Sequence, residues 1–157
     1  MRQLTNRVTR SGVIALLLSV PLLGAHVASA GAAVAVSGQI TVTANTVGYE
    51  FQVGSDKATV ASARVTFTGN LKGRAIEDYV TVTHADGSAD QYGFGIFRGK
   101  INGKAGTVYY KFKGVPARGS IRILSGTRGL AGLRGTIRYR ATGGPNFSYS
   151  GRVRDRR

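Results

Sequence analysis

The chain of 157 residues contains no cysteine. It therefore has no disulfide to staple a small fold, no thiolate for nucleophilic or zinc chemistry, and no Cys behind its leader to carry a lipid. Carboxylates are scarce, with 7 Asp+Glu against 22 Lys+Arg, and there are only 2 histidines. Beyond residue 30 the single histidine is His84, two residues before Asp86, where a solvated turn residue is the plain reading. A Ser-His-Asp set has no support. Zinc and calcium sites need clusters of His, Cys or carboxylates, so we expect neither a metal nor a cofactor. Helical periodicity is also missing beyond residue 30, as is any apolar run long enough to span a bilayer.

The N-terminus is of another kind. Arg2, Arg7 and Arg10 precede an apolar run from Val13 to Leu23, broken only by Ser19 and Pro21, and Ala28-Ser29-Ala30 supplies small residues for cleavage. This pattern predicts a secretory signal peptide over residues 1–30 and one domain over residues 31–157. The expected location is outside the cytoplasm: secreted, periplasmic or in the cell envelope. The residues after 30 carry 19 Lys+Arg and 7 Asp+Glu, a formal net charge of +12. Such a charge favours anionic partners such as an envelope polymer or acidic lipid.

What is present is period-two alternation between turn signals, the mark of half-buried strands. Strands are predicted over Val34–Ala44, Ala61–Gly69, Arg74–His84, Ala89–Ile101, Gly106–Lys113, Ser120–Leu124, Leu133–Ala141 and Phe147–Arg154. Asn45–Thr59 reads as a long connection with one short strand at most. Asp86-Gly87 and Asn102-Gly103 are hairpin signals. Gly93, Gly95 and Gly99 predict a bulge or sharp coiling in the fourth strand. Eight sequential strands with short turns suggest an all-β fold: a single eight-stranded antiparallel up-and-down β-barrel, closed so that no edge is left bare.

The most distinctive stretch is Ser125-Gly126-Thr127-Arg128-Gly129-Leu130-Ala131-Gly132-Leu133-Arg134-Gly135. A phosphate cradle would need a helix after these glycines, but Thr136–Arg140 alternates as a strand, so they read as turn and bulge residues. Together with Tyr92–Val108 and Arg118-Gly119-Ser120, the stretch resembles the bacterial domain-of-unknown-function group of the allene oxide cyclase-like barrel superfamily. Plant allene oxide cyclases and dirigent proteins are its better-known relatives. The resemblance spans roughly residues 36–154. It implies a barrel with a central cavity but no particular reaction. The plant cyclases steer an unsaturated fatty-acid epoxide.

Alternation also divides the wall. Lys111/Lys113, Arg138/Arg140 and Arg152/Arg154 share outer faces, while Val65, Phe67, Val108, Tyr110, Phe112, Ile137, Tyr139, Phe147, Tyr149 and Val153 face the interior. Aromatics turned away from the cations speak against nucleic acid, which needs both together. Glu77 and Asp78 are neighbours on a strand, so one points in and one out. Ligand-pocket candidates are Glu77, Asp78, Tyr79, Tyr92, Tyr110, Phe112, Tyr139 and Tyr149; no catalytic residue is assigned. The expected function is an exported basic barrel. It binds a small apolar ligand inside, or packs solid and acts as a non-enzymatic envelope protein. The alternative is an isomerase-like barrel steering an unsaturated lipid-like substrate.

Overall fold

A computed structural model describes residues 31–156 of the chain; the expected leader lies outside the described residues. Eight strands follow in order: β1 (Val34–Val53), β2 (Asp56–Gly69), β3 (Leu71–Thr83), β4 (Ala89–Ile101), β5 (Lys104–Val115), β6 (Arg118–Gly126), β7 (Leu133–Gly143) and β8 (Asn146–Asp155). Each pairs antiparallel with its sequence neighbour, and β8 returns to β1 from Val34↔Val153 to Thr41↔Asn146, so the sheet closes on itself. Closure satisfies the backbone of the ring within one sheet, which a chain this rich in glycine and poor in helix formers needs for a core.

The expected connection over Asn45–Thr59 is instead strand. β1 runs 20 residues without a break and folds back on β2 through Gly54 and Ser55. Two bulges, at Val42/Ala44 and Val47/Tyr49, shift the side-chain parity and hide the strand from an alternation test. Past Val42, β1 has only β2 beside it.

The expected bulge in β4 is absent: β4 keeps register with both neighbours. Its glycines do something else. Gly93 faces Phe112 and Gly95 faces Tyr110 across the β4–β5 ladder. A Cβ on Gly95 would lie 2.1 Å from the Tyr110 ring, and one on Gly93 2.8 Å from Phe112. The missing side chains let two rings lie inside a narrow barrel. At the other end of this hairpin, Asn102 (φ 48) and Gly103 (φ 82) both take left-handed conformations, as an Asn-Gly turn of type I′ requires.

The Gly-rich stretch between β6 and β7 is more than a turn. It forms one 3-10 turn over Arg128–Leu130 and inserts Leu130, 1% exposed, into the base of the barrel. Above this plug, Phe67, Leu71, Phe97, Ile101, Val108, Ile123 and Ile137 pack together, with Phe67 edge-on to Phe97 at 5.4 Å. The space left among them is about 10 Å³, room for one water at most, and its apolar walls offer a water no partner.

Candidate functional site

The upper half of the barrel is built differently. Ile40, Val42, Ala63, Val65 and Ile121 are smaller than the rings below, and they leave a cavity of about 290 Å³. Its walls carry two aromatic pairs: Tyr79 with Phe112, centroids 6.2 Å apart, and Tyr139 with Phe147, 5.9 Å apart. Pro116 and Pro145, from the β5–β6 and β7–β8 turns, stand at its mouth. The barrel is thus packed solid below and open above.

Glu77 points into this space. It lies on the same face of β3 as Ala75 and Tyr79, between Ala63 of β2 and Gly95 of β4. Gly95 has no side chain, so the Tyr110 ring lies across it and donates its hydroxyl to Glu77 Oε1 at 2.5 Å. Burial pushes the Glu77 carboxyl above its ordinary value, against the opposing pull of the Tyr110 hydrogen bond. Burial, and then the charge of Glu77, raises Tyr110 well above the usual tyrosine value. The same two causes raise Tyr139 to about 12. The Tyr139 hydroxyl is buried and has no hydrogen-bond partner among the described residues. Tyr79 donates to Asn45 Oδ1 at 2.8 Å, and its own value is raised by burial.

Of the residues singled out in the sequence, Glu77, Tyr79, Phe112 and Tyr139 meet around the cavity. Tyr110 belongs to the packed half and reaches up to Glu77. Tyr149 is structural: its hydroxyl donates to Thr68 O and accepts from Leu71 N, both at 2.9 Å. Asp78 and Tyr92 are outside. Strand alternation turns them away from the interior, where Asp78 accepts from Ser62 Oγ and Tyr92 is 51% exposed. The cavity also takes in Asn45, Gln91 and Phe147. Asn45 and Gln91 had no distinguishing signal, since polar residues near strand ends commonly face solvent. Among the described residues no group of three or more His, Cys, Asp or Glu could hold a metal.

A second feature is the charge of the outer wall. Lys111 faces Arg122, Arg118 faces Arg140, and Arg134 faces Arg154 across their ladders; Arg74 faces Arg98, and Lys72 faces Lys100. From residue 91 to residue 154 the chain has no Asp or Glu. A groove on this side is lined by Lys113, Arg118, Arg138 and Arg140, with Ser120, Ser148 and Ser150, and it takes in Asp90 at one edge.

No curated protein matches the chain. Among solved structures it is similar to the crystal structure of a protein of unknown function from Shewanella oneidensis MR-1, itself of the DUF3224 family. The TM-score is 0.68 at 22% identity, over 78% of this chain and 97% of that one. That likeness concerns the fold alone. The model of the family described as protein of unknown function (DUF3224) matches residues 35–151, the whole ring from the first strand to the last, and the chain belongs to that family.

Proposed function

We propose that this chain is an exported, non-enzymatic barrel that binds a small, mostly apolar ligand in the upper half of its interior. The observation that carries the reading is the division of the barrel at Glu77. Below it the rings close the core, and above it a cavity of about 290 Å³ is walled by aromatics with a few polar groups. Small-molecule sites combine an apolar wall with a few placed polar atoms in this way. The resemblance to allene oxide cyclase-like barrels fits a ligand held in this interior. Native mass spectrometry of protein recovered from the host envelope tests the reading. A co-purified small molecule, lost in Ala63→Leu, is expected; unliganded protein that also ignores added apolar probes would end it.

A second reading has its own observation. Like charges placed directly opposite in a sheet are destabilising, and among the described residues there are five such cationic pairs. An anionic polymer of the envelope lying along the cationic wall would relieve them. Binding of the protein to a poly(glycerol phosphate) polymer should then weaken steeply with salt. Affinity that does not change with salt would remove this role.

A further inference from the structure

The cavity has a polarity that restricts what can enter it. In a chain this basic, its lining holds one carboxyl and no Lys, Arg or His. Glu77 Oε1 is taken by the Tyr110 hydroxyl, and Oε2 has no hydrogen-bond partner among the described residues. Tyr139 lines the same space with its ring, while its hydroxyl is sealed against Gly119 of β6. We infer that the site, read as the ligand pocket proposed above, takes a compact apolar molecule with a non-acidic hydrogen-bond donor, an alcohol or an amine, and rejects carboxylates. The donor would meet Glu77 Oε2, with the aromatic walls holding the apolar part. A carboxylate ligand would bring its charge into an apolar space with no cation to receive it and with a carboxyl already there. Desolvation and like-charge repulsion both oppose that. The cations on the outer wall cannot help, since alternation points them away from the interior.

Calorimetric titration with three naphthyl compounds separates the possibilities. 1-Naphthalenemethanol and 1-naphthylmethylamine are expected to bind at least about tenfold more tightly than 1-naphthoate, the carboxylate being opposed by burial of an unpaired charge. Glu77→Gln should weaken the amine most and leave the alcohol nearly as before, because Gln still accepts a hydrogen bond. If 1-naphthoate binds as tightly as the alcohol, the inference is wrong while the pocket stands. If none of the three binds, both the inference and the pocket reading fail.

A different observation carries a second proposal. The outer faces of β3, β4 and β5 present three cross-strand rows: Ile76–Ile96–Tyr109, Asp78–Phe94–Lys111 and Val80–Tyr92–Lys113. Phe94 is 65% exposed and Ile76 58%, although soluble monomers rarely expose contiguous apolar patches of this kind. The middle row is charge-self-complementary: an acid and a base flank a phenyl ring, and neither Asp78 nor Lys111 has an ion-pair partner among the described residues. We propose that a second copy of this chain covers the face. A two-fold axis in the interface, parallel to β4, sets Phe94 on Phe94 of the second copy. It also sets Asp78 against Lys111 of the second copy, twice by symmetry.

Sedimentation over a dilution series, with circular dichroism to confirm folding, tests this. The native chain should be a dimer, Asp78→Lys and Lys111→Asp should each be monomeric, and the double variant should dimerise again. A native monomer would overturn the proposal, as would folded single variants that remain dimeric or a double variant that stays monomeric. A monomer that partitions onto anionic vesicles through Phe94 would likewise overturn it, in favour of a lipid surface.

Discussion

Glu77 shows how one position ties the core to the site. Its folded carboxyl lies above the ordinary value of 4.5 because it is buried. Between the unfolded and folded values the native chain holds a proton that the unfolded chain has lost. Stability therefore falls as pH rises through that window and levels off above it. Glu77→Gln removes a titration but keeps the acceptor for Tyr110. Its melting temperature should match the native chain below the window and exceed it above, as a pH series of thermal melts would show; a native melting temperature that rises through the window would contradict the assignment. Gly95 is the complementary case. Gly95→Ala puts a methyl group 2.1 Å from the Tyr110 ring, so either the ring or the strand must move. Overpacking of this kind costs about 1–3 kcal/mol, to be read as a lower denaturation midpoint, and it should also detach Tyr110 from Glu77. The sequence carried half of this. Alternation placed Tyr110, Phe112 and Tyr139 inside, and it made Glu77 and Asp78 alternatives without choosing between them. The neighbour was implicit in the Asn102-Gly103 hairpin, whose two-residue length sets Gly95 opposite Tyr110; what alternation did not show is that the Tyr110 ring would lie across that glycine to reach Glu77.

At the scale of elements, strands that alternate cleanly were legible and strands with shifted parity were not. β5 and β7 follow the period of two inside the ring, where one face is buried and the other wet. β1 loses it at two bulges, and beyond Val42 both its faces are exposed, so nothing selects apolar against polar positions there. The Gly-rich stretch likewise announced a turn but not that Leu130 would plug the base. The rim has its own tie. His84, after β3, places Nδ1 2.9 Å from Asp56 Oδ2 at the start of β2, and Nε2 3.4 Å from Asp90 Oδ2 on β4. The hydrogen bond to Asp56, then that to Asp90, raises the imidazole above its ordinary 6.5. A raised histidine stabilises fully below its unfolded value, and that contribution is lost as pH rises through the folded one. Amide protection factors in the β3–β4 hairpin should therefore drop as the imidazole titrates. They should be flat with pH in His84→Gln, and a pH-dependent drop that persists in that variant would assign it to another group.

The whole molecule is a ring whose two sides differ. The acids lie between residues 50 and 90 and at Asp155, whereas β5–β8 present cations outward with serines between them. Net charge was legible from composition, but its segregation around a barrel follows from strand order. Poly(glycerol phosphate) binding should lose much of its salt dependence in the triple variant Arg118→Gln, Arg138→Gln, Arg140→Gln, with the fold intact by circular dichroism. A triple variant with the native salt dependence would move the contact elsewhere. The interior has a polarity of its own, packed at the base and open at the mouth, and the proposed function rests on that difference. Its most direct test is a calorimetric titration of 1-naphthalenemethanol into the native protein and into Ala63→Leu, which fills the space beside Glu77 without adding a polar group. The native protein should take up one ligand per chain and the folded variant none; equal binding to both, or none to the native chain, would mean that the upper cavity is not a ligand site.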